Sequence, residues 1–145
     1  MPPIRSIWLA MKGVLRSARR IINEKLEPLN LSGAEGDILF LLLTGSNKLQ
    51  QEQLAEQLDV GKAAVSRAVD SLESKGYVVR ERRHDDRRAY SVSLTSKALS
   101  AGGKITGIYN ELYAQATKGI TDDELVHIES LLSRVAQNLQ SMGDR

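Results

Sequence analysis

Between Gln50 and Leu94 the spacing of apolar residues changes period, and that change restricts the fold more than any other feature of the chain. Leu54, Ala55 and Leu58 form a short helical stripe over Gln50 to Leu58. Asp59-Val60-Gly61 interrupts it, and Val65, Ala68, Val69 and Leu72 resume helical spacing over Lys62 to Lys75, with Gly76 placed as a helix stop. From Tyr77 the period becomes two. Tyr77 to Arg82 reads as one strand, and Tyr90, Val92 and Leu94, alternating with Ser91 and Ser93, read as a second. Two short helices joined by a three-residue turn containing glycine, followed by a β-hairpin, make a helix-turn-helix with a wing. The hairpin tip is the charged run Arg83-His84-Asp85-Asp86-Arg87-Arg88.

The flanks are helical. Ile4, Trp8, Met11, Leu15, Ala18 and Ile22 are spaced four, three, four, three, four, a heptad seam, and Pro28 closes that segment or lies just past it. Ser32 with Glu35 forms a capping box for a helix whose run Ile38 to Leu43 is apolar on all sides, and that helix is expected to be buried. Thr95 is placed to cap a fifth helix with the stripe Ile105, Ile108, Tyr109, Leu112, Tyr113 and Ala116. Thr121 with Glu124 opens a sixth, on which Leu125, Ile128, Leu132, Val135, Leu139 and Met142 form a second heptad seam. The fold class is therefore mainly α with a small β-hairpin wing (α+β).

The two seams flank a module that reads half of a symmetric site. One seam alone would be ordinary core; two argue for an intermolecular helical interface and a homodimer. Its expected contact residues are Ile4, Trp8 and Met11 at one end and Leu125, Ile128, Leu132, Val135 and Leu139 at the other.

Composition bounds the chemistry. With 145 residues, 41% hydrophobic and 26% charged, the chain can bury a core without covalent staples. It has no cysteine, which excludes disulfides and thiolate chemistry, and only two distant histidines, so no metal or other cofactor is expected. No phosphate loop and no nucleophile with a histidine partner is present, so the chain is not expected to be an enzyme. The longest apolar run, Ile38 to Leu43, is too short to span a bilayer, and basic residues interrupt the N-terminal apolar positions, so a cytoplasmic protein without a membrane partner is expected. Net charge is only +2, but six basic residues stand against three acidic ones between Lys75 and Arg88.

The second helix of the motif carries the expected DNA contacts. Its apolar face turns inward, and its opposite face holds Ala63, Ser66, Arg67, Asp70 and Ser74. In a helix-turn-helix that face enters the major groove. Arg67 is suited to fork onto a guanine, Ser66 and the helix N-terminus near Lys62 to hold phosphate, and Ala63 and Ala64 to allow close approach or meet a thymine methyl. Asp70 is expected to pair with Arg67 three residues back. In the wing, Arg87 and Arg88 suit a narrow minor groove, and Asp86, two residues from Arg88, is placed to orient it. A charged tip that only keeps the protein soluble is the plainer alternative, and its weight falls because a recognition helix lies immediately upstream. An uncharged wing would instead have suggested a winged helix used for protein–protein assembly.

These residues resemble the MarR family of bacterial and archaeal regulators. The resemblance lies in Gln53-Leu54-Ala55-Glu56-Gln57-Leu58, Val65-Ser66-Arg67, Leu72 to Val78, the wing run Asp86-Arg87-Arg88-Ala89 and the closing Leu94-Thr95. The family's Asp-x-Arg wing signature falls on Asp86 and Arg88. Arg82, Arg83 and His84 stand where the family often has proline and aspartate, and Ala98 where a glycine is common. The resemblance implies one domain over residues 1–145, with a winged helix-turn-helix at 31–96 and dimerisation helices at 1–30 and 97–145. It further implies a sequence-specific transcriptional regulator, a repressor binding a palindromic operator in double-stranded DNA as a homodimer, and a pocket for a small aromatic effector, for which Trp8, Met11, Leu15 and Tyr109 are the candidates. A constitutive binder, or an activator without an effector, stays open as the alternative.

Overall fold

A computed structural model describes residues 3–85 and 89–143 of the chain. It divides into two compact units, Met1–Leu112 and Tyr113–Arg145. The first holds α1 (Pro3–Leu26), a 3-10 turn (Glu27–Leu29), α2 (Gly33–Thr44), β1 (Lys48–Gln50), α3 (Gln51–Leu58), α4 (Lys62–Ser74), β2 (Val78–Arg82), β3 (Tyr90–Leu94) and most of α5 (Ser96–Ala116); the second holds the end of α5 and α6 (Asp122–Gly143).

The helix boundaries follow from caps written in the sequence. At α2 the Ser32 hydroxyl accepts from the Glu35 backbone N–H and the Glu35 carboxylate accepts from the Ser32 N–H, the reciprocal box. The same exchange joins Thr121 and Glu124 ahead of α6. Gly76, at φ +84°, lets the end of α4 turn back. Its N–H reaches the Glu73 carbonyl at 3.0 Å and that of Tyr77 the Leu72 carbonyl at 2.9 Å, a Schellman stop that a side chain at Gly76 would strain. Thr95 caps α5 by accepting from Ala98, and its hydroxyl donates back to the Gly76 and Tyr77 carbonyls, so one residue ties the end of the wing to the end of α4.

The core of the first unit is apolar and fed from every element. Leu26, Ile38, Leu39, Leu42, Leu54, Val65, Val69, Leu72, Val78, Val92 and Ile105 are fully buried. As expected from its all-round apolar run, α2 lies at the centre, with Phe40, Leu41 and Leu43 partly buried around it. Gly36 permits this packing: a Cβ there would lie 2.3 Å from Leu26 Cδ1 and 2.8 Å from the Tyr109 hydroxyl. Phe40 stacks on Tyr109 at 4.4 Å between ring centres, and the Tyr109 hydroxyl donates to Asp37, which also accepts from Arg19 of α1.

The sheet has three antiparallel strands among the described residues, in the order β1-β3-β2. In the wing Val78 faces Leu94, Arg80 faces Val92 and Arg82 faces Tyr90; on the other edge Leu49 faces Val92. β1 is the element that apolar spacing does not reveal, because three residues are too few to display an alternation. In the turn between α3 and α4 the left-handed residue is Asp59, at φ +53°, rather than Gly61. A short polar side chain tolerates that conformation, and Gly61 serves instead as the N-cap of α4.

Among the described residues one charged group, Glu35, lies inside this core. Glu35 is 4% exposed, and besides the cap it accepts from Ser71 at 2.9 Å and from Lys75 Nζ at 2.9 Å on both carboxylate oxygens. Lys75 also donates to the Asn30 carbonyl at 2.8 Å, so the cluster joins the start of α2 to the end of α4. Burial alone would raise the Glu35 pKa; the bonds from Ser32, Lys75 and Ser71 together outweigh it and hold the carboxyl below its ordinary value. A depressed carboxylate contributes stability that is complete above the unfolded value, about 4.3, and is lost as pH falls through the lower folded value. Glu35→Gln is therefore expected to cost about 1–3 kcal/mol at pH 7 and to lose less than the wild type on acidification. Thermal melts at pH 7 and in mild acid check this; equal losses in both proteins would remove Glu35 from the account.

Candidate nucleic-acid interface

The recognition surface begins at the turn before α4. Gly61 offers no side-chain oxygen to the first amides of α4, so those donors are not capped from within, whereas side chains cap α2, α5 and α6. Free amides on the positive end of a helix dipole suit a phosphate. Lys62, Ala63 and Ala64 are all exposed there. Val65, Ala68, Val69 and Leu72 are buried as their spacing requires. Arg67 is exposed and makes no ion pair among the described residues, so its guanidinium is available.

The polar face of α4 is not uniform. Asp70 does not pair with Arg67 as expected; its carboxylate is bonded to Arg80 of β2. A fixed partner reaching across from the wing displaces a flexible one on the same helix. Ser66, half-buried, gives its carbonyl to the same guanidinium at 3.4 Å. Among the described residues, the exposed ones of α4 that stay unbonded on and beside this face are Lys62, Ala63, Ala64, Arg67 and Ser74, with Ser66 at its edge. Arg80, counted in the sequence only within a local positive excess, is an internal brace. Its pairing spans ten residues and leaves no periodic trace.

The wing is anchored at its base. The Arg83 N–H donates to the Ala89 carbonyl at 3.0 Å, closing the hairpin ends, and the Arg83 guanidinium donates to Gln50 Oε1 at 2.6 Å, tying the wing to the start of α3. Arg83 also forms an ion pair with Asp85. Arg87 and Arg88, the expected minor-groove contacts, and Asp86, expected to orient Arg88, lie outside the described residues.

The remaining sequence candidates fall into two environments. Trp8, Met11 and Leu15 lie exposed along α1 with Ile4, whereas Ile22, at the end of the same seam, is buried in the core. Tyr109 is buried, with its ring and hydroxyl engaged by Phe40 and Asp37. On α6, Ile128, Leu132 and Leu139 are exposed and Leu125 and Val135 partly so, and no residue of the helix is buried. Among the described residues no cluster of three or more acidic or histidine side chains is arranged to hold a metal, and no helix is long and apolar enough to cross a membrane.

This arrangement has known counterparts. A family model described as the MarR family matches residues 29–89, the stretch from the start of the motif to the wing. A MarR transcriptional regulator from Methanosarcina mazei superposes with a TM-score of 0.79 at 26% identity, covering 95% of this chain and 99% of that one. A point mutant of MarR from E. coli, crystallised with operator DNA, superposes with a TM-score of 0.76 at 28% identity over 91% of this chain and 94% of the other. Over residues 29–89 the chain matches the MarR family, and over nearly its whole length it has the fold of these MarR regulators. It is accordingly a DNA-binding transcription regulator with the family's winged-helix fold and not an enzyme. At the level of fold alone it also resembles an organohalide-sensing transcriptional regulator in its 2,4-dichlorophenol-bound form, with a TM-score of 0.78 at 23% identity over 95% of this chain and 82% of that one.

Proposed function

We propose that two copies of this chain pair through the apolar stripes of α1 and α6 and bind a palindromic operator as a repressor, residues 31–96 reading the DNA and residues 1–30 and 97–145 forming the dimer. The observation that carries this reading is α6. It runs for 22 residues with an apolar stripe and not one buried residue. A helix in water owes most of its stability to packing such a face, so the stripe calls for a covering surface. A second copy supplies an identical stripe, and a two-fold pair of DNA modules then matches a two-fold site. Within each module Arg67 reads base edges, Lys62, Ser66 and the α4 N-terminus hold phosphate, Ala63 and Ala64 allow close approach, and Arg87 and Arg88 reach the minor groove, with Asp86 orienting Arg88. Selection from a pool of randomised duplexes should enrich a two-fold symmetric sequence with half-sites about one helical turn apart. Enrichment of an asymmetric site would set the dimeric reading aside.

Release by a small aromatic ligand is the finer part of the proposal. Its support is the dichlorophenol-bound relative, together with the exposed Trp8, Met11 and Leu15 on α1. Tyr109 is the least available of the four candidates, because a ligand would have to displace Phe40 or Asp37. In a thermal-shift series of small aromatic acids, at least one compound is expected to raise the melting temperature and weaken operator binding together. If none does both, the constitutive binder is the better description.

A further inference from the structure

We propose that Arg80 is a positioning residue for DNA reading, locking the wing onto one stripe of α4 and so fixing the angle between the two elements that meet the duplex. This rests on the reading above that α4 and the wing engage DNA.

Arg80 sits at the middle of β2, opposite Val92. It is tied to α4 at three successive points. Its backbone N–H donates to Glu73 Oε2 at 3.1 Å, and its guanidinium donates to the Asp70 carboxylate and to the Ser66 carbonyl. Ser66, Asp70 and Glu73 are spaced four and three apart, which places them in one row along the helix. At about 100° per residue this row lies between the buried face around Val65 and Val69 and the open face around Ala63 and Arg67. The wing thus abuts α4 along the border of the DNA-facing surface. The guanidinium also lies over the Tyr90 ring at 5.3 Å, and Arg82 lies over the same ring at 5.6 Å, donating to its hydroxyl at 3.1 Å. The brace therefore extends from α4 through Arg80 and Tyr90 to the last residue of β2.

The chemistry favours alignment over stability or direct contact. The Asp70 side chain is 62% exposed, and an ion pair with so wet a partner adds little to folding. The Arg80 side chain is only 15% exposed, so it is not placed to neutralise a phosphate. What the pair controls is direction, because a planar guanidinium engages a carboxylate and a carbonyl together only in a narrow range of orientations.

Arg80→Lys keeps the charge and loses the planar group whose one nitrogen, Nη2, donates to both Asp70 and Ser66; Asp70→Asn keeps the shape and loses the charge on a side chain exposed enough to leave folding intact. Fluorescence anisotropy on the selected operator and on scrambled DNA gives the affinity ratio for each variant, with melting temperatures in parallel. Both variants are expected to lower the operator-to-scrambled ratio by about tenfold, and the double variant by no more than either alone, the sign of one shared interaction. A wild-type ratio in both would overturn the proposal. So would an Asp70→Asn variant that binds both DNAs more tightly while Arg80→Lys behaves as wild type, since Arg80 would then be a plain phosphate contact. Should Arg80→Lys fail to fold, Asp70→Asn alone decides. Arg67→Ala in the same titrations separates the two levels. If it lowers the ratio while Arg80→Lys and Asp70→Asn do not, only the positioning role fails. If it also leaves the ratio unchanged, the assignment of α4 as the reading helix fails with it.

Discussion

Replacing Leu132 and Val135 with lysine is expected to give a folded monomer whose preference for the operator over scrambled DNA has fallen by about a thousandfold or more. Neither residue belongs to the core of the chain. Leu132 is exposed and Val135 only partly covered, on a helix with no buried residue. The substitution therefore removes little intrachain packing, while in a dimer it would place four ammonium groups against apolar stripes, a desolvation that cannot be offset without a partner charge. A monomer still offers one α4 and one wing, but each half-site is then bound alone and the second contact no longer follows from the first. Light scattering reads the state directly, as a mass near the 16.0 kDa of one chain rather than twice that. A double variant that remains dimeric would show that the α6 stripe is not the contact.

Arg67→Ala is the second large effect. An arginine forked onto guanine is worth about 1–3 kcal/mol of discrimination. A dimer presents the residue twice, so operator affinity should fall by about 2–6 kcal/mol, roughly 30-fold at the lower bound. The loss should be confined to sites carrying the preferred base, and selection with the variant should return DNA degenerate at one symmetric position in each half-site. An equal loss on every sequence would make Arg67 a phosphate contact. The expectation is sharper than the residue's place on a helical wheel could make it, because Arg67 is the arginine that α4 leaves unpaired among the described residues, while the polar neighbours Ser66, Asp70 and Glu73 are committed to Arg80.

What the sequence announced was local or periodic. The boxes at Ser32 and Thr121 act within three residues, the stop at Gly76 within one turn, and the buried faces of α2 and α4 repeat over several turns. These interactions select among neighbouring conformations and leave a pattern. What it concealed was paired at a distance. Arg80 meets Asp70 across ten residues, Lys75 meets Glu35 across forty and Arg83 meets Gln50 across thirty-three. Nothing in the spacing of a lone charge says which partner the fold will bring to it. By spacing alone Asp70 goes with the nearest arginine on its own helix, Arg80 looks like surface charge, and β1, three residues long, shows no alternation. Ser71, which donates to the buried Glu35, was likewise invisible. Tyr109 shows the converse: its position on a helical stripe fits a ligand pocket or a core equally well, and its stacking on Phe40 and hydrogen bond to Asp37 are those of a core residue.

The central claim is that two copies of the chain read one two-fold symmetric site through α4. Hydroxyl-radical footprinting of the wild-type protein on the selected operator tests it most directly. The account predicts two equivalent patches of protection related by a two-fold axis, centred about 10 base pairs apart on one face of the duplex, both appearing at the same protein concentration. A single patch, or two that fill at separate concentrations, would contradict it.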